Sequence, residues 1–313
     1  MKQIEYEHNP VLLNEVVQGL NIHSDGCYVD CTFGRGGHSR AILQSLNADG
    51  RLLALDKDPE AMATVDARLL QDSRFVLRHG SYTMLRKLVE DNKKMHQVHG
   101  VLFDLGVSSP QLDNPLRGFS FAKDGHLDMR MDNSGGTTAA EWLNSATERE
   151  IEEVLQKYGE ERYAKRIARS IVNTRKGEPM LRTLQLAELI AATVPSKEKS
   201  KHPATRTFQA IRIFLNRELQ ELQTALEQAV DILADGGRLV VISFHSLEDR
   251  LVKRFMRNMA RGDYYPPGVP VTSNMLKPAM KLIGKAVYPQ ADEIKSNPRA
   301  RSAVLRIAEK IPI

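Results

Sequence analysis

The sequence predicts an α/β fold, a mostly parallel sheet interrupted by an all-helical insertion. Four short apolar runs alternate with helical patterns in the first third of the chain, and parallel strands need a crossover of this kind between them. Strand patterns stop after Pro110, and only helical patterns follow as far as Val194. Strand patterns then return near Arg238, which indicates that the helical block is inserted into one sheet.

Each predicted element follows from its residue pattern. Apolar residues from Val11 to Leu20 recur at helical spacing and predict an opening helix. Runs rich in Val, Leu and Ile predict strands at 27–31, 51–56, 74–80, 100–106, within 235–246, at 280–287 and at 302–310. Helical patterns lie at 38–46, 58–70, 82–91, around Trp142, and at 147–159, 160–176, 182–194 and 202–233. Thr205 or Thr207 is the expected N-cap of the last of these helices.

These elements divide the chain into three parts. We expect residues 1–113 and 205–313 to form one sheet-containing domain, and residues 114–204 to form the inserted helical domain. The Pro-rich stretch 263–271 is expected to be a surface loop.

The composition is that of a globular protein. Of the 313 residues 42% are apolar, no run is long enough to cross a bilayer, and the first residues lack the order of a signal peptide, so a cytosolic location is expected. Cys27 and Cys31 are the only cysteines, too few for a disulfide framework or a zinc site, and we expect both to be buried.

Positive charge is concentrated in two stretches. Residues 250–310 contain 13 Lys or Arg against 4 Asp or Glu, and residues 162–182 contain 7 against Glu178 alone. Such stretches favour a polyanionic partner, with solvated helix faces as the alternative.

A glycine-rich turn lies between the first predicted strand and its helix. Gly34, Gly36 and Gly37 allow the backbone to approach a ligand closely at the start of a helix, which suits a nucleotide-like cofactor. The dinucleotide fingerprint G-x-G-x-x-G lacks its third glycine here, which weakens the case for NAD. Asp56 ends the second strand, where a carboxylate can accept both hydroxyls of a ribose.

Asp30, Asp56 and Asp104 each end a predicted strand. S-adenosylmethionine carries an ammonium, a carboxylate and a sulfonium, so acids at the strand ends suit it better than a phosphate cradle does. The alternative is that these acids cap the helices that follow them.

Eight motifs in order resemble those of one family. They are "FGRGGHS", "DLGVSSPQLD", "GFSF", "LDMRMD", "YGEERYAKRIARSIV", "HPATRTFQAIRI", "ISFHSLEDR" and "NPRARSAVLRIAE". Together, from about His8 to Lys310, they resemble the MraW/RsmH family of bacterial 16S ribosomal RNA (cytosine-N4)-methyltransferases. The resemblance implies a Rossmann-like class I S-adenosylmethionine-dependent methyltransferase sheet with an antiparallel C-terminal strand and an inserted helical domain.

The resemblance also implies a cofactor site and a partner. The residues carried over as contacts of S-adenosyl-L-methionine are Gly36, Gly37, His38, Asp56, Tyr82, Asp104 and Gln111. The implied partner is 16S ribosomal RNA within the small ribosomal subunit, with no DNA or membrane partner expected.

No catalytic residue is identified firmly from the sequence. Ser109 lies in the motif that orients the amino group in amino-directed methyltransferases, and His245 follows a strand where it could accept a proton or contact a phosphate. Helix capping by Ser246 with Asp249 explains the "HSLED" stretch equally well. Phe119, Phe121 and Phe244 are candidates for stacking on the target base.

Several basic residues are candidates for RNA contacts. They are Lys165, Arg166 and Arg169 on a predicted helix face, together with Arg206, Arg212, Arg299 and Arg301. Asp128, Arg130 and Asp132 are expected to form an ion-paired link, and no catalytic metal is expected. A nicotinamide-dependent oxidoreductase and a non-catalytic RNA-binding protein on the same fold are the alternatives.

Overall fold

The computed structural model describes residues 10–195, 202–262 and 276–312, which form two compact units. The sheet unit contains the described residues up to Gly106 and those from Leu219 onward, and the helical unit is Val107–Glu218. This helical unit extends beyond the predicted insertion, 114–204, at both ends. The loop expected at 263–271 lies outside the described residues.

The sheet unit contains a seven-stranded sheet. Its strands are β1 (Cys27–Asp30), β2 (Arg51–Asp56), β3 (Phe75–His79), β4 (Val98–Asp104), β5 (Leu233–Ser243), β6 (Met280–Val287) and β7 (Val304–Lys310). Their order is β3-β2-β1-β4-β5-β7-β6. The first five strands pair in parallel, and β7 lies antiparallel to both β5 and β6, which confirms the predicted fold class.

The helices are α1 (Leu13–Leu20), α2 (Gly37–Ser45), α3 (Pro59–Ala63), α4 (Ala67–Gln71), α5 (Leu85–Asp91), α6 (Ser109–Asp113), α7 (Ala139–Ser145), α8 (Glu148–Gly159), α9 (Ala164–Thr174), α10 (Thr183–Thr193), α11 (Thr205–Asn216), α12 (Glu218–Ile232), α13 (Ser246–Arg261) and α14 (Ala291–Ser296). Short 3₁₀ turns span Tyr82–Met84, Pro115–Arg117 and Pro298–Ser302. None of the helices in the described ranges is long and apolar enough to cross a membrane.

Both faces of the sheet are covered by helices. Successive strand residues point to opposite faces, so Leu53 and Leu55 pack with α5, α12 and α13, whereas Leu52 and Ala54 pack with α1 and α2. Burial on both faces explains why the strands are continuously apolar rather than alternating.

The two cysteines lie in this core as predicted. Both are free and buried, and burial raises the pKa of the Cys27 thiol to about 11. Neither thiol is therefore ionised at neutral pH.

Two predicted helices are wrong in their extent. The helix expected at 58–70 is two short helices, because the Asp58 and Asp66 side chains each accept an N–H bond two residues on and start a new turn. The helix expected at 202–233 breaks at Arg217, whose φ of 54° is left-handed. Helix α11 has Ala204 at its N-cap, so neither predicted threonine caps it.

The break before α12 has a cause that lies far away in the sequence. The Asn216 side chain donates to the Met129 carbonyl at 2.7 Å and accepts from the Met131 N–H at 2.7 Å. These bonds hold the end of α11 against the segment around Met129 in the same unit. Because Arg217 is not a glycine, no local stop signal marked the position.

The helical unit has its own apolar core, formed by one face of each longer helix. Trp142 packs on Phe214 with ring centroids 4.9 Å apart, and Ile167 and Ile171 are fully buried. The expected ion pair is present, because Arg130 binds the Asp128 carboxylate through two nitrogens at 2.7 and 2.8 Å.

Candidate active site

The candidate site lies at the carboxyl edge of the sheet, where the strand order reverses. From β1 the chain passes to β2 on one side, whereas β4 pairs with β1 on the other side. Ligands of open α/β sheets bind in the crevice at such a point. Asp30, Asp56 and Asp104 are the last residues of β1, β2 and β4, so the fold brings the three acids to this edge.

The glycine-rich turn is held in place by the second strand. The Gly34 N–H donates to one Asp56 carboxylate oxygen at 2.6 Å, and the Asp58 N–H donates to the other at 2.7 Å. Gly36 has a φ of 73°, and a Cβ added there would lie 2.7 Å from the Phe33 ring. Glycine is therefore required at position 36 both by the backbone and by the space available.

Gly37 is required for a different reason. A Cβ at this position would lie 2.3 Å from Cγ of Pro10, which packs against the start of α2. The first N–H groups of α2 have no partner within their own helix, as at any helix N-terminus, and they lie at the edge that carries the three acids.

Burial dominates the electrostatics of the acids. Burial raises the pKa of Asp56 to about 6, although hydrogen bonds from the Asp58 and Gly34 amides oppose the shift. Burial also raises the pKa of Asp30, against a 2.7 Å hydrogen bond donated by the Ser39 hydroxyl. The fold therefore keeps two carboxyl groups in a poorly solvated place.

His38 and Asp104 face each other without a well-formed hydrogen bond. Nε2 of His38 and Oδ2 of Asp104 are 3.4 Å apart, which is long for a hydrogen bond. Burial lowers the pKa of His38, but Asp104 and Asp30 more than offset this and the net direction is upward. Both ring nitrogens of His38 and Oδ1 of Asp104 are buried and lack a hydrogen-bond partner among the described residues.

Such orphaned polar atoms are rare in native structures because leaving them unpaired is costly. A ligand that donates to Asp104 and contacts His38 would satisfy them. The residues at this edge therefore fit a small polar cofactor.

Thr32 and Ser39 are supporting residues that the sequence reasoning missed. The Thr32 hydroxyl accepts from the Asp104 N–H at 2.7 Å and so ties the ends of β1 and β4 together. Ser39 binds Asp30 as described above. Thr32 follows β1, and Ser39 belongs to the glycine motif. A threonine or a serine at such a position does not predict these contacts, because the contacts depend on which strands are neighbours in the sheet.

The other predicted cofactor residues lie in different surroundings. The Tyr82 ring packs edge-on against Phe103, with centroids 5.8 Å apart. Gln111 belongs to the helical unit, where its side chain is buried and accepts from the Ser108 N–H at 2.8 Å, capping α6. Ser109 is the first residue of that helix.

His245 caps helix α13. Its Nδ1 accepts from the Glu248 N–H at 3.4 Å, and the Glu248 carboxylate accepts from the Phe244 N–H at 2.9 Å. The expected cap by Ser246 with Asp249 is wrong, because the extended residue before the helix is His245 and Asp249 binds Arg306 instead.

The basic candidates of the helical unit differ in exposure. Lys165, Arg166 and Arg169 lie on the exposed face of α9, and Arg169 contacts Glu148 at 3.5 Å. Arg206 points one guanidinium nitrogen at the Glu160 carbonyl at 3.5 Å. Arg212 binds Glu218 through two bonds of 2.9 Å and is largely buried, so its contacts stabilise the unit itself.

Arg299 and Arg301 are exposed on the 3₁₀ turn at Pro298–Ser302. This turn precedes β7 in the sheet unit. Both side chains are accessible to a polyanion.

Comparison with protein-family models gives a match that covers nearly the whole chain. The model of the MraW methylase family matches residues 5–311. Among solved structures, an rRNA methylase from Streptococcus thermophilus has 12% identity, a TM-score of 0.42, and coverage of 96% of this chain and 94% of that one. NSun6 from Pyrococcus horikoshii with SFG has 14% identity, a TM-score of 0.44, and coverage of 100% and 56%.

Proposed function

This chain belongs to the MraW methylase family, and we propose that it methylates the exocyclic N4 of a specific cytosine in the decoding region of 16S ribosomal RNA. S-adenosyl-L-methionine is the methyl donor. The family match over residues 5–311 carries this proposal. A hydride-transferring oxidoreductase is not compatible with membership of a methylase family.

The residues at the carboxyl edge suit this cofactor. Each oxygen of Asp56 keeps a second lone pair after accepting from Gly34 or Asp58, so the carboxylate can also accept from ribose hydroxyls. The orphaned atoms of Asp104 and His38 suit the polar groups of the methionine moiety. Gly36 and Gly37 keep the backbone between these groups free of side chains.

The cofactor supplies a methyl group activated by an adjacent sulfonium. The cytosine N4 is a poor nucleophile because its lone pair is delocalised into the ring, so the protein's main task is to hold the two reactants in line. Positioning of this kind contributes roughly 7–11 kcal/mol in favourable cases. Gly36, Gly37, Asp56 and Asp104 would hold this donor, and its methyl group would replace one proton of the N4 amino group.

A dedicated general base is not needed for that proton, because the methylated ammonium is strongly acidic. Nδ1 of His245 accepts the bond that caps α13, and its Nε2 lies 3.2 Å from the Glu248 carboxylate. We therefore assign His245 a role in holding the end of β5 and the start of α13.

Phe244 is the aromatic residue that we propose to stack on the target base. Its ring lies against Gly106, two residues after Asp104, where an added Cβ would be 3.6 Å from the ring. The side chain is half-buried, so part of the ring is accessible. Gly106 has a φ of 94°, which a residue with a side chain adopts only with strain.

The exposed basic face of α9 is the proposed contact for RNA outside the reacting nucleotide. Lys165, Arg166 and Arg169 lie on it, with Ile167 and Ile171 on the buried side. Arg299 and Arg301 are further candidates. A cytoplasmic location is part of this proposal, because the proposed substrate is ribosomal RNA.

The test is to incubate small-subunit particles from a strain lacking the protein with labelled S-adenosyl-L-methionine, and to digest the RNA to nucleosides. We expect label in N4-methylcytidine. Phe244→Leu is expected to lower turnover on RNA with little effect on cofactor affinity, and Phe255→Leu, on the core side of α13, is the matched control. Label in another nucleoside, or none, contradicts the proposal.

A further inference from the structure

A basic groove lies on the flank of the sheet unit, away from the acids. It has a volume of about 300 Å³ and lies between helix α13 and the strands β6 and β7. Its polar lining includes Lys253, Arg257, Lys285 and Arg306, and its apolar lining includes Leu282 and Ile283. We call it the α13–β6 groove.

An irregularity in the edge strand shapes this groove. Strand β6 is the last strand of the sheet, and its pairing with β7 shifts register between Ile283 and Val287. Gly284, inside the bulge, has a φ of 65°, and a Cβ added there would meet nothing within 4 Å. Bulges re-aim side chains and bend edge strands, and this one places Lys285 in the groove wall.

Three of the four groove cations have no ion-pair partner among the described residues. Lys253, Arg257 and Lys285 have no ion pair or hydrogen bond from their side chains within the part of the chain that is described, whereas Arg306 is paired with Asp249 at 2.7 Å. From Arg250 to Arg261 helix α13 carries five basic residues and no acid. Favourable interaction with the helix C-terminus explains a cation in the last turn, but not Lys253 or a lysine on the neighbouring strand.

Apolar surface is exposed beside these cations. Leu282, in the groove, is 46% exposed, and Tyr288, one residue past β6, is 59% exposed. Tyr288 follows the groove residue Lys285 by three positions. Cations without partners and an exposed aromatic ring are both typical of surfaces that bind single-stranded nucleic acid, where charge holds the backbone and bases stack on rings.

The sheet register relates the groove to the candidate active site. Asp104 pairs with Ile242, Ile242 with Leu305, and Leu305 with Val287, so the end of β6 lies at the same edge as the end of β4. Three strand spacings separate them, which is about 14 Å. A strand of RNA with one nucleotide at the carboxyl edge can therefore reach the groove with nucleotides near it.

We propose that the α13–β6 groove binds the phosphodiester backbone of the RNA that flanks the reacting nucleotide. This inference rests on the proposed function for the identity of the RNA. Phosphate oxygens bind Lys253, Arg257 and Lys285, and Tyr288 stacks on an unpaired base. An acidic protein surface is the competing occupant, and the RNA titration below distinguishes the two.

The test compares two triple variants of the full chain. Lys253→Gln/Arg257→Gln/Lys285→Gln removes the three cations, and Arg68→Gln/Lys87→Gln/Lys93→Gln removes three exposed cations near the opposite, β3 end of the sheet. The probe is a labelled single-stranded RNA covering the small-subunit decoding region, titrated over a range of salt concentrations. The affinity for S-adenosyl-L-methionine is measured in parallel as evidence of folding.

The groove variant is expected to bind the RNA at least about 10-fold more weakly, and its slope of log affinity against log salt is expected to fall by about 2, since each lost phosphate contact removes roughly 0.7. The opposite-end variant is expected to stay close to wild type, and both are expected to bind the cofactor normally. Lys253→Arg/Arg257→Lys/Lys285→Arg, which keeps the charges, is expected to retain most of the RNA affinity.

A groove variant that matches the opposite-end variant in both affinity and salt slope overturns the inference and favours an acidic protein as the occupant. Wild-type protein that does not bind the RNA overturns it as well. The proposed function is judged separately, by the nucleoside that wild-type protein labels. A failure of either proposal is therefore visible in its own measurement.

Discussion

The carboxyl edge and the α13–β6 groove carry opposite charges in the same unit, and the fold treats them differently. At the carboxyl edge, Asp30 and Asp56 are desolvated, and burial raises the pKa of both. In the groove, Lys253 is half-buried and Arg257 and Lys285 are exposed, without ion-pair partners among the described residues.

This difference in solvation indicates which kind of ligand each region suits. Buried carboxylates are expensive to keep ionised, so they suit a small ligand that supplies donors at fixed positions. Exposed cations are solvated, so keeping them charged costs little free energy. They act through many weak contacts that salt screens, and such contacts suit a polyanion. Mutations should therefore affect cofactor binding and stability at the edge, and RNA affinity at the groove.

The largest expected effect is a pH dependence of stability caused by Asp56. Burial raises its pKa from 3.8 to about 6, so between these values the folded state holds a proton that the unfolded state has released. The stabilisation is full below about pH 4, falls as pH rises, and is lost above about 6, a change of roughly 3 kcal/mol. Asp56→Asn should remove this slope, as measured by urea unfolding of the cofactor-free protein.

Asp49→Asn, at an exposed position, is the control, and it should leave the slope unchanged. The pKa of Asp30 is raised as well, so Asp30 also contributes to the pH dependence of stability. The contribution of Asp56 is therefore the difference between the slopes of wild type and Asp56→Asn. Parallel curves for the two proteins would show that Asp56 is solvated in the folded state.

The next effect concerns Asp104. Asp104→Asn should weaken S-adenosyl-L-methionine binding by about 30-fold, because a hydrogen bond to a charged group typically contributes about 1.5–3 kcal/mol. RNA affinity should not change, since the groove cations are untouched. Calorimetric titration with cofactor and RNA separately checks both, and equal losses for the two ligands would remove the contrast between the regions.

Most of the fold was predictable because it depends on local patterns. All seven strands were found from apolar runs between turn residues, and the helical block was found from its period. The misplaced helix ends were not predictable. The break at Arg217 depends on Asn216 binding Met129 and Met131, which lie more than 80 positions earlier in the chain.

The candidate site was predictable in part, because the glycines and the acids Asp30, Asp56 and Asp104 were each tied to a physical reason. Motifs pointed to His38 and Asp104. The sequence did not show that these side chains would face each other with buried atoms that lack hydrogen-bond partners, because their positions depend on how β1 and β4 pair. The α13–β6 groove was visible only as an excess of basic residues. The shape of the groove depends on a bulge at Gly284. A glycine inside a predicted strand can indicate a bulge, but it does not show which side chain the bulge will turn toward the groove.

Two glycines with similar backbones sharpen the comparison further. Gly36, in the glycine-rich turn, and Gly236, near the start of β5, have φ values of 73° and 80°, but of these two only Gly36 has neighbours within 4 Å of an added Cβ. Gly236→Ala should cost about 1 kcal/mol from backbone strain. Gly36→Ala should cost at least about 1 kcal/mol more, because the Phe33 ring must move.

Urea unfolding of the two alanine variants measures this difference, and cofactor titration should show a loss only for Gly36→Ala. Equal costs for the two would mean that the Phe33 ring moves aside freely. The loop would then be flexible enough that its shape does not depend on the glycine.

The smallest expected effect is at the exposed face of α9. Arg169 is 63% exposed and its contact with Glu148 is long, 3.5 Å, so Arg169→Gln should leave the unfolding free energy unchanged within error. RNA affinity should fall about two- to three-fold, as for the loss of a single phosphate contact. Arg149→Gln on the neighbouring helix, which also removes an exposed ion-paired arginine, is the control and should not change RNA affinity. Equal RNA affinities for the two variants would show that α9 does not contact the RNA through Arg169, and would leave the α13–β6 groove as the principal site for the backbone.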